Sequence, residues 1–186
     1  MDITIHKLNV DRIDDYLKFF EERAFSDNPN WAGCYCVYSH CERETWSKRS
    51  ISQNRNDSID WIKKGILNGY LAYGNNGVVG WMGVDLRTNY ASLNYRVNRE
   101  DQINPIASIV CITVDPEFRH QGIATQLLNH AEKQLKSEGI DIIEAYPYVD
   151  SESPAHNHKG PFSMYKKAGF KIYEEDGETA VVRKSL

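Results

Sequence analysis

The stretch Ile109-Val-Cys-Ile-Thr-Val-Asp-Pro-Glu-Phe-Arg-His-Gln-Gly-Ile-Ala-Thr125 constrains this chain more than any other. The apolar run from Ser108 to Val114 fits a central strand covered on both faces. Asp115-Pro116 breaks that run. Leu127, Leu128, Ala131 and Leu135 then recur at helical spacing, and Gly139 supplies a stop. The helix is therefore predicted to start near Gln121, opened by the loop Arg119-His120-Gln121-Gly122-Ile123-Ala124. The first turn of a helix has N–H groups without intrahelical partners, and the helix dipole favours negative charge there. A loop that gathers those groups suits a pyrophosphate. Gly122 has no Cβ and lets the backbone approach such a ligand. Ala124 is small for the same reason, and Arg119 offers a guanidinium to phosphate.

The following stretch, Asp141–Tyr146, reads as another strand. Strand, helix and strand imply a right-handed crossover and a parallel pair. Tyr70–Tyr73 and Val78–Val84 flank the turn Gly74-Asn-Asn-Gly77 and form a hairpin, and Gly169–Glu174 with Thr179–Lys184 form a closing pair. Ile3–Leu8 alternates as an opening strand. Asp11 is placed to cap a helix with Ile13, Tyr16, Leu17 and Phe20 on one face. Asp57 or Ser58 is placed to cap another through Trp61, Ile62 and Ile66, ending near Gly69. Residues 26–50 are irregular and aromatic, 87–107 read as a polar connection, 147–160 as a loop, and Pro161–Ala168 as a short helix. The expected fold class is α/β (α+β): a mixed, twisted sheet with helices on both faces. No repeat or linker divides the chain, and 186 residues fit one domain, 1–186, that needs no disulfide or metal to fold.

A net charge of −4 gives no reason to expect a nucleic-acid partner. No apolar run approaches the roughly 18 residues of a membrane span. Met1–His6 lacks the features of a signal peptide. Four cysteines without such a leader predict free thiols in a reducing compartment, with the cytoplasm as the expected location.

Val114-Asp-Pro-Glu-Phe-Arg-His-Gln-Gly-Ile-Ala124 resembles the acyl-CoA-binding signature Arg/Gln-x-x-Gly-x-Gly/Ala of the GNAT superfamily of N-acetyltransferases. Met164-Tyr165-Lys-Lys-Ala-Gly169-Phe170 resembles the family's late Tyr-x-x-x-Gly-Phe segment, which lies beside the thioester. The resemblance covers residues 70–186 well and the first 69 poorly. It implies a splayed sheet, in which the pantetheine arm pairs between the strand before the loop and the strand after its helix. Here Ile112, Thr113 and Val114 would offer backbone groups to that arm. Arg119, His120, Gln121, Gly122, Ile123, Ala124 and Thr125 would hold the rest of the cofactor. The thioester would sit between Val114 and Tyr146, under Tyr165. The implied activity is transfer of an acetyl group from acetyl-CoA, the co-substrate, to a primary amine of a small molecule or protein, directly in a ternary complex. A non-catalytic acyl-CoA-binding sensor is the alternative. Where many relatives carry Asn seven residues before the tyrosine, this chain has His158, with Asn157 beside it.

Acetyl transfer needs a neutral amine, a donor for the oxyanion and a proton for the leaving thiolate. A phenol suits the last role. Tyr165 occupies the position of the family's general acid; otherwise it packs one face of a short helix. Glu144 is the leading candidate for the base and otherwise a solvated strand charge. Asp85, His156 and His158 are further candidates, and a small amine needs no dedicated base. Cys111 lies in an apolar strand, where burial raises a thiol's pKa, and reads as packed rather than nucleophilic. Cys34-Tyr-Cys36-Val-Tyr-Ser-His40-Cys41 gathers three thiols and an imidazole within eight residues. Its spacing departs from zinc motifs, so no metal is expected. Beside Trp31, Tyr35, Tyr38 and Trp46 these cysteines are either core or part of an aromatic lid over an amine pocket. Thr179–Val182 either pairs across a homodimer or is capped within the chain.

Overall fold

In the computed structural model, which describes residues 2–149 and 158–186, the strands join into one mixed sheet. They are β1 (Thr4–Lys7), β2 (Gly69–Gly74), β3 (Gly77–Leu86), β4 (Ile106–Val114), β5 (Ile142–Ala145), β6 (Lys171–Asp176) and β7 (Thr179–Ser185). Their order is β1-β2-β3-β4-β5-β7-β6. Only β4 and β5 run parallel, joined by the expected crossover helix. The helices are α1 (Ile13–Glu22), α2 (Arg43–Trp46), α3 (Ile51–Lys63), α4 (Ile123–Ser137) and α5 (Phe162–Lys167). On one face α1 buries Tyr16, Leu17, Phe19 and Phe20 with Leu71 and Trp81. On the other, α4 packs Ile123, Leu127, Leu128, Ala131 and Leu135 against Ala72, Met82, Ile109 and Ile112. Among the described residues no helix is long and apolar enough to cross a membrane.

One irregularity in this sheet positions the site. Gly83 faces Cys111 while the next residue, Val84, faces Ile109, so Val110 is an extra residue in β4. Pairing of β4 with β5 runs from Ile106↔Ile142 to Ile109↔Ala145 and stops there. The bulge thus coincides with the end of the parallel ladder. A bulge bends its strand and increases local twist. Cys111–Val114 accordingly remain paired with β3 while their other edge parts from β5.

A polar row crosses the sheet at the closed end of that gap, running Asp85, Ser108, Glu144 and Arg183 on neighbouring strands. Glu144 is fully buried. It accepts from Arg183 Nε at 2.8 Å, Ser108 Oγ at 3.1 Å, Arg87 Nη1 at 3.3 Å and the Tyr146 hydroxyl. Arg87 also pairs with buried Asp101. Two carboxylates and two guanidinium groups balance each other, which corrects the picture of Glu144 as a solvated strand charge. Removing one partner of such a cluster leaves buried charge without compensation. Arg87→Ala is expected to cost about 3–5 kcal/mol, read as a lower urea midpoint. An unchanged midpoint would show that the cluster does not hold the sheet together.

Other departures are local. Asp11 lies within a 3-10 turn, Val10–Arg12, and does not cap α1; Arg12 is the N-cap and makes no side-chain cap bond. α3 begins at Ile51 instead of 57–58 and ends at Lys63 instead of near Gly69. Ser50 Oγ accepts from Gln53 N and the Gln53 side chain accepts from Ser50 N, a capping box. The stretch 87–107 is not a solvated connection. Its 3-10 turns bury Arg87, Tyr90, Leu93 and Asp101. β7 lies between β5 and β6, so it is no edge, and a dimer paired through Thr179–Val182 is excluded. His156 and Asn157 lie outside the described residues.

Candidate active site

A cavity of about 690 Å³ opens beside the free edge of β4. Ile112, Thr113, Val114, Arg119, His120, Gly122, Ile123, Ala124 and Thr125 all line it. Gln121 does not: it is exposed, and its Nε2 points to the Glu117 carbonyl at 3.4 Å. The opposite wall comes from α5 and its entry, including Pro161, Ser163, Met164 and Lys167.

The loop is shaped before α4 begins. Asp115 caps a 3-10 turn, Pro116–Phe118, by accepting from Glu117 N at 3.0 Å. His120 and Gly122 are then both left-handed, with φ of 61° and 80°. Left-handed residues in such a loop turn successive N–H groups toward one concavity. Gly122 is the N-cap of the 15-residue α4 and contributes no side-chain cap bond. A Cβ at Gly122 would meet nothing within 4 Å, because it would project into open space. The first-turn amides of α4 are thus left for a ligand.

Arg119 is already engaged. Its Nη2 donates to Asp27 Oδ1 at 3.2 Å, its Nη1 donates to Asp27 Oδ2, and its Nε donates to the Val114 carbonyl at 3.3 Å. Phe25, Asp27 and Asn28, just after α1, also line the cavity. Nothing in the sequence pointed to them, since Asp27 and Arg119 are 92 positions apart.

The expected chemical groups are placed differently. Tyr165 is fully buried and not in the cavity wall. Its hydroxyl donates to the Lys159 carbonyl at 2.8 Å, and its ring meets Phe170 edge-on at 5.1 Å. Burial pushes the Tyr165 phenol well above its ordinary pKa, so it keeps its proton. Glu144 is likewise outside the cavity wall, its oxygens taken by four donor residues. Asp85 accepts from Asn68 Nδ2 at 2.8 Å and from Leu86 N at 2.7 Å, away from the cavity. His158 does line the cavity and packs edge-on against Trp31 at 4.9 Å. His40 packs against Tyr90 and Trp61, and burial lowers its pKa. Among the described residues no group of three or more His, Cys, Asp or Glu is placed to hold a metal.

The splayed parallel pair, the left-handed loop at a helix start and the adjoining cavity agree with comparisons to known proteins. The acetyltransferase (GNAT) family model matches residues 31–170. The spermidine N(1)-acetyltransferase of Thermoplasma acidophilum is 24% identical over an alignment of 193 residues, covering 99% of this chain and 98% of that protein. The crystal structure of PaiA N-acetyltransferase from Thermoplasma acidophilum, in complex with coenzyme A, superposes with a TM-score of 0.59 at 21% identity, over all of both chains. The NatC complex bound to Gag peptide and CoA gives 0.59 at 18% identity, covering 100% of this chain and 99% of that one. The chain therefore belongs to the GNAT family of acetyltransferases, the acyl-CoA-dependent N-acyltransferases.

Proposed function

We propose that the whole 186-residue chain acts as one catalytic domain that passes an acetyl group from acetyl-CoA directly to a primary amine, with a small-molecule amine as acceptor. The observation that carries the reading is the cavity shared by the Arg119–Thr125 loop and the unpaired edge of β4. Amides at the start of α4 suit the diphosphate. The backbone of Ile112–Val114, with no strand partner on the β5 side, suits the amide-bearing pantetheine arm. The acceptor class draws on the spermidine acetyltransferase, which aligns with nearly the whole chain. The four cysteines are free, which fits a cytoplasmic enzyme.

In this reading Tyr165 gives its proton to the leaving thiolate after exchanging the Lys159 carbonyl for that partner. Its raised pKa keeps the proton available at neutral pH. Of Asp85, Glu144 and His158, only His158 lines the cavity, so it is assigned to take the amine's proton, directly or through water. Glu144, proposed from sequence as the base, is reassigned to holding the closed end of the strand gap.

Asp27 competes for Arg119 before the cofactor arrives. The pair is partly exposed, and such pairs contribute modestly. Asp27→Asn is expected to tighten acetyl-CoA binding about 2- to 5-fold. Weaker or unchanged binding would mean that Asp27 does not occupy the cofactor's position.

A thiol-release screen over polyamines, arylalkylamines and peptides with free N-termini tests the function. Release on a small amine, with no acetyl adduct on the protein by intact mass, supports direct transfer. Release on peptides alone would refute the acceptor class. Acetyl-CoA binding with no release on any amine would favour the sensor, for which the turned-away Tyr165 hydroxyl is the supporting observation.

A further inference from the structure

The irregular segment between α1 and α2 delivers a thiol onto β3, level with the bulge in β4. Tyr35 and Cys36 are both left-handed, with φ of 43° and 51°. Non-glycine residues hold that conformation only where their surroundings enforce it. Part of the enforcement is visible: the Tyr16 hydroxyl donates to the Tyr35 carbonyl at 2.7 Å inside the core. The turn aims Cys36 at Gly83, where a Cβ would come within 2.9 Å of Cys36 Sγ. The thiol occupies the space a side chain at position 83 would need.

The residue directly opposite Gly83 in the ladder is Cys111. Opposed residues carry their Cβ atoms on the same face, about 5 Å apart. Cys36 Sγ therefore lies on the face of the sheet that carries the Cys111 side chain, and both thiols are buried in the same cluster. Thr113 Oγ1 also contacts Cys111 Sγ, at 3.4 Å. The neighbouring Cys36 lowers the Cys111 thiol from its ordinary pKa, burial opposes that, and Thr113 adds a smaller lowering. Burial itself raises it, as expected from its apolar strand. Cys111 and burial push Cys36 up, and burial carries Cys34 to about 12. Both members of the pair are free.

We propose that Cys36 and Cys111 form a reversible disulfide that ties the 29–41 segment to β4 beside the acyl-CoA cleft. With a peroxide as oxidant, the Cys111 thiolate attacks one peroxide oxygen and the O–O bond breaks. The products are a sulfenic acid and hydroxide, which is protonated to water. The Cys36 sulfur then attacks the sulfenic sulfur; the S–S bond forms and a second water leaves with the Cys36 proton. Two thiols and one peroxide become one disulfide and two waters, and a dithiol restores the thiols. A consequent slowing of acetyl transfer rests on the proposed function, whereas the disulfide itself does not.

The test is peroxide treatment of the native full chain, alkylation under denaturing conditions and intact-mass analysis. Expected is the loss of two hydrogens, with two of the four cysteines alkylated, reversed by dithiothreitol. Cys36→Ser and Cys111→Ser should each prevent it, and Cys34→Ser should not. Sulfinic or sulfonic products without a cross-link would overturn the pairing, as would a cross-link that survives Cys111→Ser. Turnover on the best acceptor should fall several-fold on oxidation and return on reduction. A cross-linked protein with full turnover would overturn the restraint on the cleft.

Discussion

Gly122→Glu is expected to abolish acetyl-CoA binding while leaving the protein folded. The position is open: a Cβ there would have nothing within 4 Å, so the new side chain enters the cavity rather than the core. It brings a negative charge to the place assigned to the diphosphate. At a separation of about 4 Å and an effective dielectric near 20, one pair of like charges costs about 4 kcal/mol, nearly a thousandfold in affinity. The left-handed φ of 80° adds roughly 1–2 kcal/mol of strain for any L residue. Gly122→Ala isolates that strain and should retain most of the binding. Calorimetric titration, with thermal unfolding as a control, reads both effects. A Glu variant that binds acetyl-CoA as the parent does would remove the phosphate-loop assignment.

Tyr165→Phe should separate binding from chemistry. The ring remains packed on Phe170 and only the hydroxyl, with its bond to the Lys159 carbonyl, is lost. Acetyl-CoA affinity should be nearly intact, while turnover falls about 10- to 1,000-fold if the phenol protonates the leaving thiolate. The raised phenol pKa also fixes a sign. The proton is held on the alkaline side past the usual tyrosine value, so Tyr165 should contribute no alkaline decline in rate below about pH 10. Parental turnover in the Phe variant would assign Tyr165 to packing alone.

The central strand–loop–helix unit was legible because three local signals coincide in Ile109–Thr125: an apolar run, a breaking Asp-Pro and a glycine at a helix start. Nine of the ten cofactor positions expected from it line the cavity, with Gln121 turned outward. The start of α3 was not legible. Its first two turns carry Ser52, Gln53, Asn54, Arg55, Asn56 and Asp57, so no apolar period betrays them, and only the Ser50/Gln53 box does. Arg87 and Asp101 look solvated in a polar stretch because sequence does not show that their charges are paired inside the fold. Glu144 misled for the same reason. Strand alternation gives the face of a side chain but not whether that face is covered. Asp27, Trp31 and the approach of Cys36 to Gly83 depend on long-range packing of an irregular segment, which carries no periodic signal.

The most direct measurement is calorimetric titration of the purified protein with acetyl-CoA, followed by thiol release in the presence of small primary amines. Saturable binding on the order of micromolar, with CoA released only when an amine is present, is the expected result. No binding of acetyl-CoA would contradict the assignment of the Arg119–Thr125 loop and, with it, the proposed transfer.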